Sequence, residues 1–260
     1  MKKKGVYYLI AIIVIFIWSI TFISTKMLLN GLEPAEIMFY RYIIAYISLI
    51  LVYPKFHKSS GIREEILFLL TGIFGGTLYF LSENYALKFS LASNVGLLVA
   101  SAPLLTAIVA HIFMKDEKVE KSWYIGAVVA LVGVALVVFN GQFVLKLNPI
   151  GDFLAILAAF SWAIYSILIK KIGDLYNSIY ITRKVFFYSI ITMIPTLFFT
   201  GCKVDMVVLL DSRIILNLLF LGILASSICF VLWNKVIMVI GAVKSNNFIY
   251  LIPLDRKSVV

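Results

Sequence analysis

Thr71 to Pro103 reads TGIFGGTLYFLSENYALKFSLASNVGLLVASAP, and shifted by 150 positions without a gap it lies over Leu221 to Pro253, LGILASSICFVLWNKVIMVIGAVKSNNFIYLIP. The overlay pairs Gly72 with Gly222, Ile73 with Ile223, Phe80 with Phe230, Asn84 with Asn234, Ala92 with Ala242 and Pro103 with Pro253. Ile and Ala coincidences are cheap in so apolar a chain. Coincident Asn and Pro inside hydrophobic runs are not, and they point to an internal duplication.

Working outward, the remainder of the chain is built of similar runs. With 62% hydrophobic and 14% charged residues and a mean hydropathy of +1.03, it departs far from the roughly 45–50% apolar and 25% charged make-up of soluble domains. Windows of about 20 apolar residues, the length that crosses about 30 Å of hydrocarbon, predict helices near 5–25, 34–54, 66–87, 91–114, 122–140, 150–170, 179–200 and 214–236, with part of a ninth from about 240. The runs lack strand-like alternation, and lipid requires each segment to satisfy its own backbone. The class is therefore an all-α integral membrane protein. The N-terminal run continues past Trp18 to Ile23 without a small-residue cleavage site, so it reads as a retained helix rather than a leader.

The net charge of +10 is spread over short clusters between apolar runs, which speaks for membrane topology and against a nucleic-acid partner. With the N-terminus inside, Lys2, Lys3, Lys4, Lys55, Lys58, Arg63, Lys115, Lys118, Lys121, Lys170, Lys171, Lys235 and Lys244 fall on the cytoplasmic side. Only Lys26, Lys88, Lys146, Lys203 and Arg213 fall opposite. Thirteen against five sets the orientation by the positive-inside rule. If each half holds five helices, an odd number, the second copy enters the membrane upside down, the inverted repeat of many secondary transporters. A second match supports the duplication: WSITFISTK, Trp18 to Lys26, and WAIYSILIK, Trp162 to Lys170, both place Trp and Lys eight apart. The plainer reading of those residues is interfacial anchoring.

Together these features resemble the EamA repeat of the drug/metabolite transporter superfamily. The residues carrying the resemblance are Ala86 and Leu87 ending the third helix, Ala92 and Ser93 opening the fourth, Pro103 within it, Glu117 after it, and Gly126 with Gly133 in the fifth. The first two helices, with FYRYIIAY around Arg41, are similar as well. The resemblance implies two inverted five-helix repeats, 5–140 and 150–254, the second incomplete. It also implies a transporter of small polar metabolites, amino acids or related compounds, acting outward by alternating access in the cell (inner or plasma) membrane with a cytoplasmic N-terminus. Asp255, Arg256 and Lys257 stand where the first copy has mid-membrane Leu105, Thr106 and Ala107. A charge there costs about 2.5–3.5 kcal/mol, so residues 255–260 are expected to be a non-native or frameshifted tail. The reading from another class is a non-transporting accessory or flippase-like lipid-carrier subunit, or an inactive fragment.

Within the runs, Gly72, Gly76, Tyr79 and Glu83 are spaced 4, 3 and 4, which predicts one shared face. Gly72 with Gly76 makes a small-xxx-small contact. Glu83 on that face is a substrate or proton-coupling candidate, unless its nearness to the outer end lets it reach water. Asn84 and Asn234, with Trp233 beside the latter, either hydrogen-bond a solute or tie helices together. Asn94 and Ser101, and Ser245, Asn246 and Asn247, give the fourth and ninth helices unusual polarity, and Pro103 and Pro253 free a carbonyl in each. Arg41 reads as snorkelling outward or pairing with Glu36. Trp18, Trp162, Tyr165 and Tyr79 line a cavity or belong to an interfacial belt. Two cysteines, Cys202 and Cys229, give neither a disulfide framework nor metal-ligand spacing. No triad, HExxH or P-loop pattern is present, so neither catalysis nor a cofactor is expected. The oligomeric state is not legible.

Overall fold

The computed structural model describes residues 2–57, 61–114, 121–139, 148–200 and 209–251. Among them lie nine helical rods and no strands. They are α1 Lys2–Leu28, α2 Pro34–Val52, α3 Ile62–Phe89, α4 Ala92–Phe113, α5 Lys121–Phe139, α6 Pro149–Ile172, α7 Ser178–Thr200, α8 Ser212–Ile240, and α9 Ala242–Asn246, the last continued by a tight turn over 247–251. Seven of these, α1 to α4 and α6 to α8, are long and apolar enough to cross a membrane, and Trp123–Gly133 forms a shorter apolar stretch within α5. The main adjustment to the predicted windows is length: α1, α3 and α8 extend several residues beyond them. Pro253 and the tail at 255–260 lie outside the described residues.

Local chemistry sets the rod ends. Pro34 opens α2, where the Glu33 carboxylate takes the backbone N–H three residues on and Glu36 Oε2 accepts from the Glu33 N–H at 2.9 Å, a reciprocal box that satisfies two orphan donors. Glu36 is thus committed to the helix start, which corrects the expected pairing with Arg41. Asn148 caps α6 by accepting from the Gly151 N–H at 3.0 Å, Pro149 follows it, and Asp211 caps α8 through the Arg213 N–H. Gly241, at φ +97°, takes the left-handed conformation that separates α8 from α9. α4 breaks at Ala100–Ser101, and Pro103 sits in the first turn of its second segment, where its missing N–H costs nothing.

Two rods contain π-helical turns. Ile73–Leu78 interrupts α3 and Phe220–Ile228 interrupts α8, so the second covers the positions 150 residues beyond the first. α3 runs antiparallel to α6, with Gly75 against the Tyr165 ring, Tyr79 against Trp162 and Ser90 against Asp152. It also lies on α7, where Gly72 and Gly76 meet Tyr188, Val185 and Ser189. α8 lies on α2 through Gly222 against Ile44, and on α1, where the Trp18 indole donates to the Ala225 carbonyl at 3.0 Å. The buried core is where these rods meet: Trp18, Tyr42, Phe80, Trp162, Phe186, Phe230 and Trp233.

These contacts correct the single face expected for Gly72, Gly76, Tyr79 and Glu83. Gly72 and Gly76 face α7, whereas Tyr79 packs on Trp162 of α6. The wider i→i+5 turn leaves Tyr79 short of the face that Gly76 occupies.

Candidate functional site

Arg41 lies at the junction of α2, α3 and α8 and is 3% exposed. It does not snorkel. Its Nε donates to Ser226 Oγ in the π segment of α8, and its guanidinium sits 4.2 Å from the centre of the Phe80 ring on α3. Small residues explain the approach: Gly222, Ala225 and Ser226 clear a face of α8, and a Cβ on Gly222 would come within 3.2 Å of the Arg41 carbonyl. A charge at a helix centre costs about 2.5–3.5 kcal/mol on the insertion scale. A hydrogen bond from a charged donor returns about 1.5–3 kcal/mol and a desolvated cation–π contact about 2 kcal/mol. The two together suffice to hold a charged Arg41 inside, and no ion pair within 4 Å is described for it.

Glu83 is also buried, 6% exposed, so it does not reach water as its position near the end of α3 suggested. Its Oε1 accepts from the Tyr79 hydroxyl at 2.8 Å. Arg41, Tyr42, Tyr79 and Glu83 lie within electrostatic reach of one another, and Cys229 within reach of Arg41. Among the described residues, Tyr42 Oη, Asn84 Oδ1 and Trp233 Nε1 are buried polar atoms without a hydrogen-bond partner. Unpaired buried groups of this kind are expensive and mark places where a polar partner is accommodated.

The remaining predicted residues separate into two groups. Trp18, Trp162, Trp233, Tyr79 and Tyr165 form one interior aromatic cluster with Phe230, the Trp18–Trp162 ring centres being 5.3 Å apart and Tyr79–Trp162 4.9 Å. They are not an interfacial belt. Asn234 and Asn246 are held by protein on both sides of the amide. Asn234 accepts from Tyr165 Oη and donates to Thr182 Oγ1, while Asn246 accepts from Trp162 Nε1 and donates to Thr106 Oγ1 and Ser166 Oγ. Each joins three helices. Asn84 donates weakly to the Pro34 carbonyl at 3.4 Å, Asn94 is buried in the first segment of α4, and the Ser101 hydroxyl donates to the Leu98 carbonyl at the α4 break. Lys26 and Lys170 play matching parts: the first donates to the Leu87 carbonyl at the end of α3, the second to the Met238 carbonyl at the end of α8.

A cavity of about 150 Å³ lies elsewhere, between the end of α2 and the start of α7, lined by Tyr46, Phe56, His57, Tyr180 and Arg183 among others. Its cations are committed: Arg183 donates to the Tyr53 and Lys55 carbonyls, and Lys184 binds Glu65 at 2.7 Å. Among the described residues no group of His, Cys, Asp and Glu is placed to hold a metal ion. Arg41 is the site residue that sequence reasoning undervalued, and the small-residue face of α8 is the signal that could have found it.

Comparison with known proteins agrees with this architecture. A transporter of Archaeoglobus fulgidus, described only as uncharacterized, is 27% identical over 252 residues, covering 95% of this chain and 85% of that protein. A probable amino-acid metabolite efflux pump of Escherichia coli K12 is 26% identical, covering 91% of this chain and 78% of its own length. A solved crystal structure shares the fold with a TM-score of 0.74 at 20% identity, covering 96% of this chain and 85% of that one. The model of the EamA-like transporter family matches residues 5–139 and again 149–254, and the chain is accordingly a multi-pass membrane protein belonging to that family of transporters rather than to the enzymes.

Proposed function

We propose that the chain exports small polar metabolites, amino acids or related compounds, by alternating access across the cell membrane, with its N-terminus in the cytoplasm. The observation that carries this reading is the buried polar centre of Arg41, Tyr42, Tyr79 and Glu83 where α2, α3 and α8 converge. Intramembrane ionisable groups are functional by default. The efflux-pump relatives support the substrate class and direction. The two halves, 5–140 and 150–254, act as inverted repeats: the antiparallel course of α3 and α6, and the matched π turns, support that arrangement. In the described conformation Glu83, Asn84, Asn234 and Asn246 are all buried; on this reading it is the closed state of a centre that opens to one side at a time. Glu83 carries the coupling proton, with the Tyr79 hydroxyl holding its carboxylate.

The test is accumulation of labelled amino acids in inside-out vesicles containing the full chain, with Glu83→Gln alongside. Wild-type vesicles should accumulate label faster than empty ones, and the Gln variant should lose any dependence on a proton gradient. Equal flux with and without the protein refutes the reading.

A further inference from the structure

Resting on the transport reading and deepening it, we infer that Arg41, with the Tyr42 hydroxyl, is the subsite for a carboxylate on the transported solute. The guanidinium is buried, charged and without an ion pair described, and its Nε bond goes to a neutral hydroxyl, Ser226 Oγ. That hydroxyl is the acceptor a carboxylate oxygen would displace. Next along α2, the Tyr42 side chain is fully buried, its hydroxyl has no partner, and Arg41 and Glu83 are within its electrostatic reach. Both side chains meet the Phe80 ring, the guanidinium at 4.2 Å and the Tyr42 ring at 5.8 Å, so the O–H donor offers a second hydrogen bond to an anion held by the guanidinium.

The surroundings select for the charge. Phe80 covers one face of the guanidinium at 4.2 Å, and the aromatic cluster of Trp18, Trp162 and Phe230 extends beyond it, Phe80 meeting Phe230 at 5.9 Å. In such an apolar setting a solute lacking the anion leaves the donors as they are, while one bringing a carboxylate replaces a neutral acceptor with a charged one. Buried donors built for a group discriminate strongly against analogues without it. Glu83 is the resident carboxylate near Arg41, and a bound anion competes with it for the same positive field. Solute classes moved by this chain therefore carry a free carboxylate; amides and amines of the same size are rejected.

The experiment uses the full chain in proteoliposomes and labelled solutes in matched sets: leucine, leucinamide and isopentylamine, and likewise threonine and glutamate with their amides and amines. Wild-type protein is expected to move the acid of at least one set tenfold or more faster than its amide and amine. Arg41→Gln should abolish that preference, and Arg41→Lys should restore part of it, separating lost charge from lost folding. Amides or amines moving as fast as the acids in wild-type vesicles would overturn the carboxylate subsite while leaving transport standing. Movement of no member of any set would overturn the transport reading itself, and the subsite with it.

Discussion

Replacing Gly76 by alanine tests the packing that brings α3 onto α7. A Cβ at this position would overlap Ser189 Oγ and lie 2.6 Å from Ser189 Cβ. Rotating the hydroxyl removes the first clash and not the second. Ordinary contact begins near 3.4 Å, so the helices would still have to separate by about 0.8 Å. Overpacking of this kind costs about 1–3 kcal/mol, and the separation also strains the Ser189 hydrogen bond to the Gly72 carbonyl, now 3.0 Å. The Gly76→Ala variant should therefore lose about 2–3 kcal/mol in reversible unfolding by denaturant in mixed micelles. Ser189→Gly in the same chain removes both clashing atoms and should recover most of the loss, short of the roughly 1 kcal/mol that the missing hydrogen bonds contribute. An alanine variant as stable as wild type, or a double variant no better than the single, would refute the claim that this glycine exists to admit Ser189.

Four further substitutions test a core hydrogen bond, the topology and the polar centre. Trp162→Phe deletes the indole donor to buried Asn246 Oδ1 together with one of the two fused rings packed on Trp18 and Tyr79, so it should cost no less than an orphaned buried acceptor, about 1–3 kcal/mol, in the same unfolding assay. In a chain with Cys202 and Cys229 replaced by serine, cysteine at position 26 should react with a membrane-impermeant maleimide on intact cells, and cysteine at position 170 only after permeabilisation; labelling from the same side would contradict the inverted arrangement. Tyr79→Phe removes a hydroxyl donor from buried Glu83 and should lower metabolite flux about tenfold, the equivalent of about 1.4 kcal/mol, at a cost of about 1–3 kcal/mol in the unfolding assay.

The places of the seven membrane-crossing helices among the described residues were readable because each is one apolar run bounded by caps and charges. The interior was harder to read for definite reasons. A π turn in Ile73–Leu78 changes which residues share a face, yet periodicity cannot reveal it where both faces of a helix are apolar. Arg41, two turns into α2, resembles a snorkelling side chain until α8 and Phe80 are seen to cover it. Trp18 and Trp162 carry the anchor residue type, but their distance from the rod ends and their shared offset from a lysine were the better guide, since the two indoles meet in the core.

The framework of this bundle is paired while its chemistry is not. Gly72 approaches the Val185 carbonyl of α7 as Gly222 approaches the Arg41 carbonyl of α2, at 3.0 and 3.2 Å from a virtual Cβ, and positions 41 and 185 stand 144 residues apart, like Trp18 and Trp162. Lys26 and Lys170, again 144 apart, end on carbonyls of α3 and α8. Yet Val185 stands where the first half has Arg41, and at the 150-residue offset Trp233 stands where it has Glu83 and Cys229 where it has Tyr79. If the halves act as proposed, matched helix contacts would let two arrangements of the frame lie close in energy, each half adopting the contacts of the other. Charges in one half alone break that equivalence at the centre. On the proposed reading, the repeat supplies the motion, the unrepeated Arg41 orients the solute, and the unrepeated Glu83 supplies a proton site through which a proton gradient sets the direction of net movement.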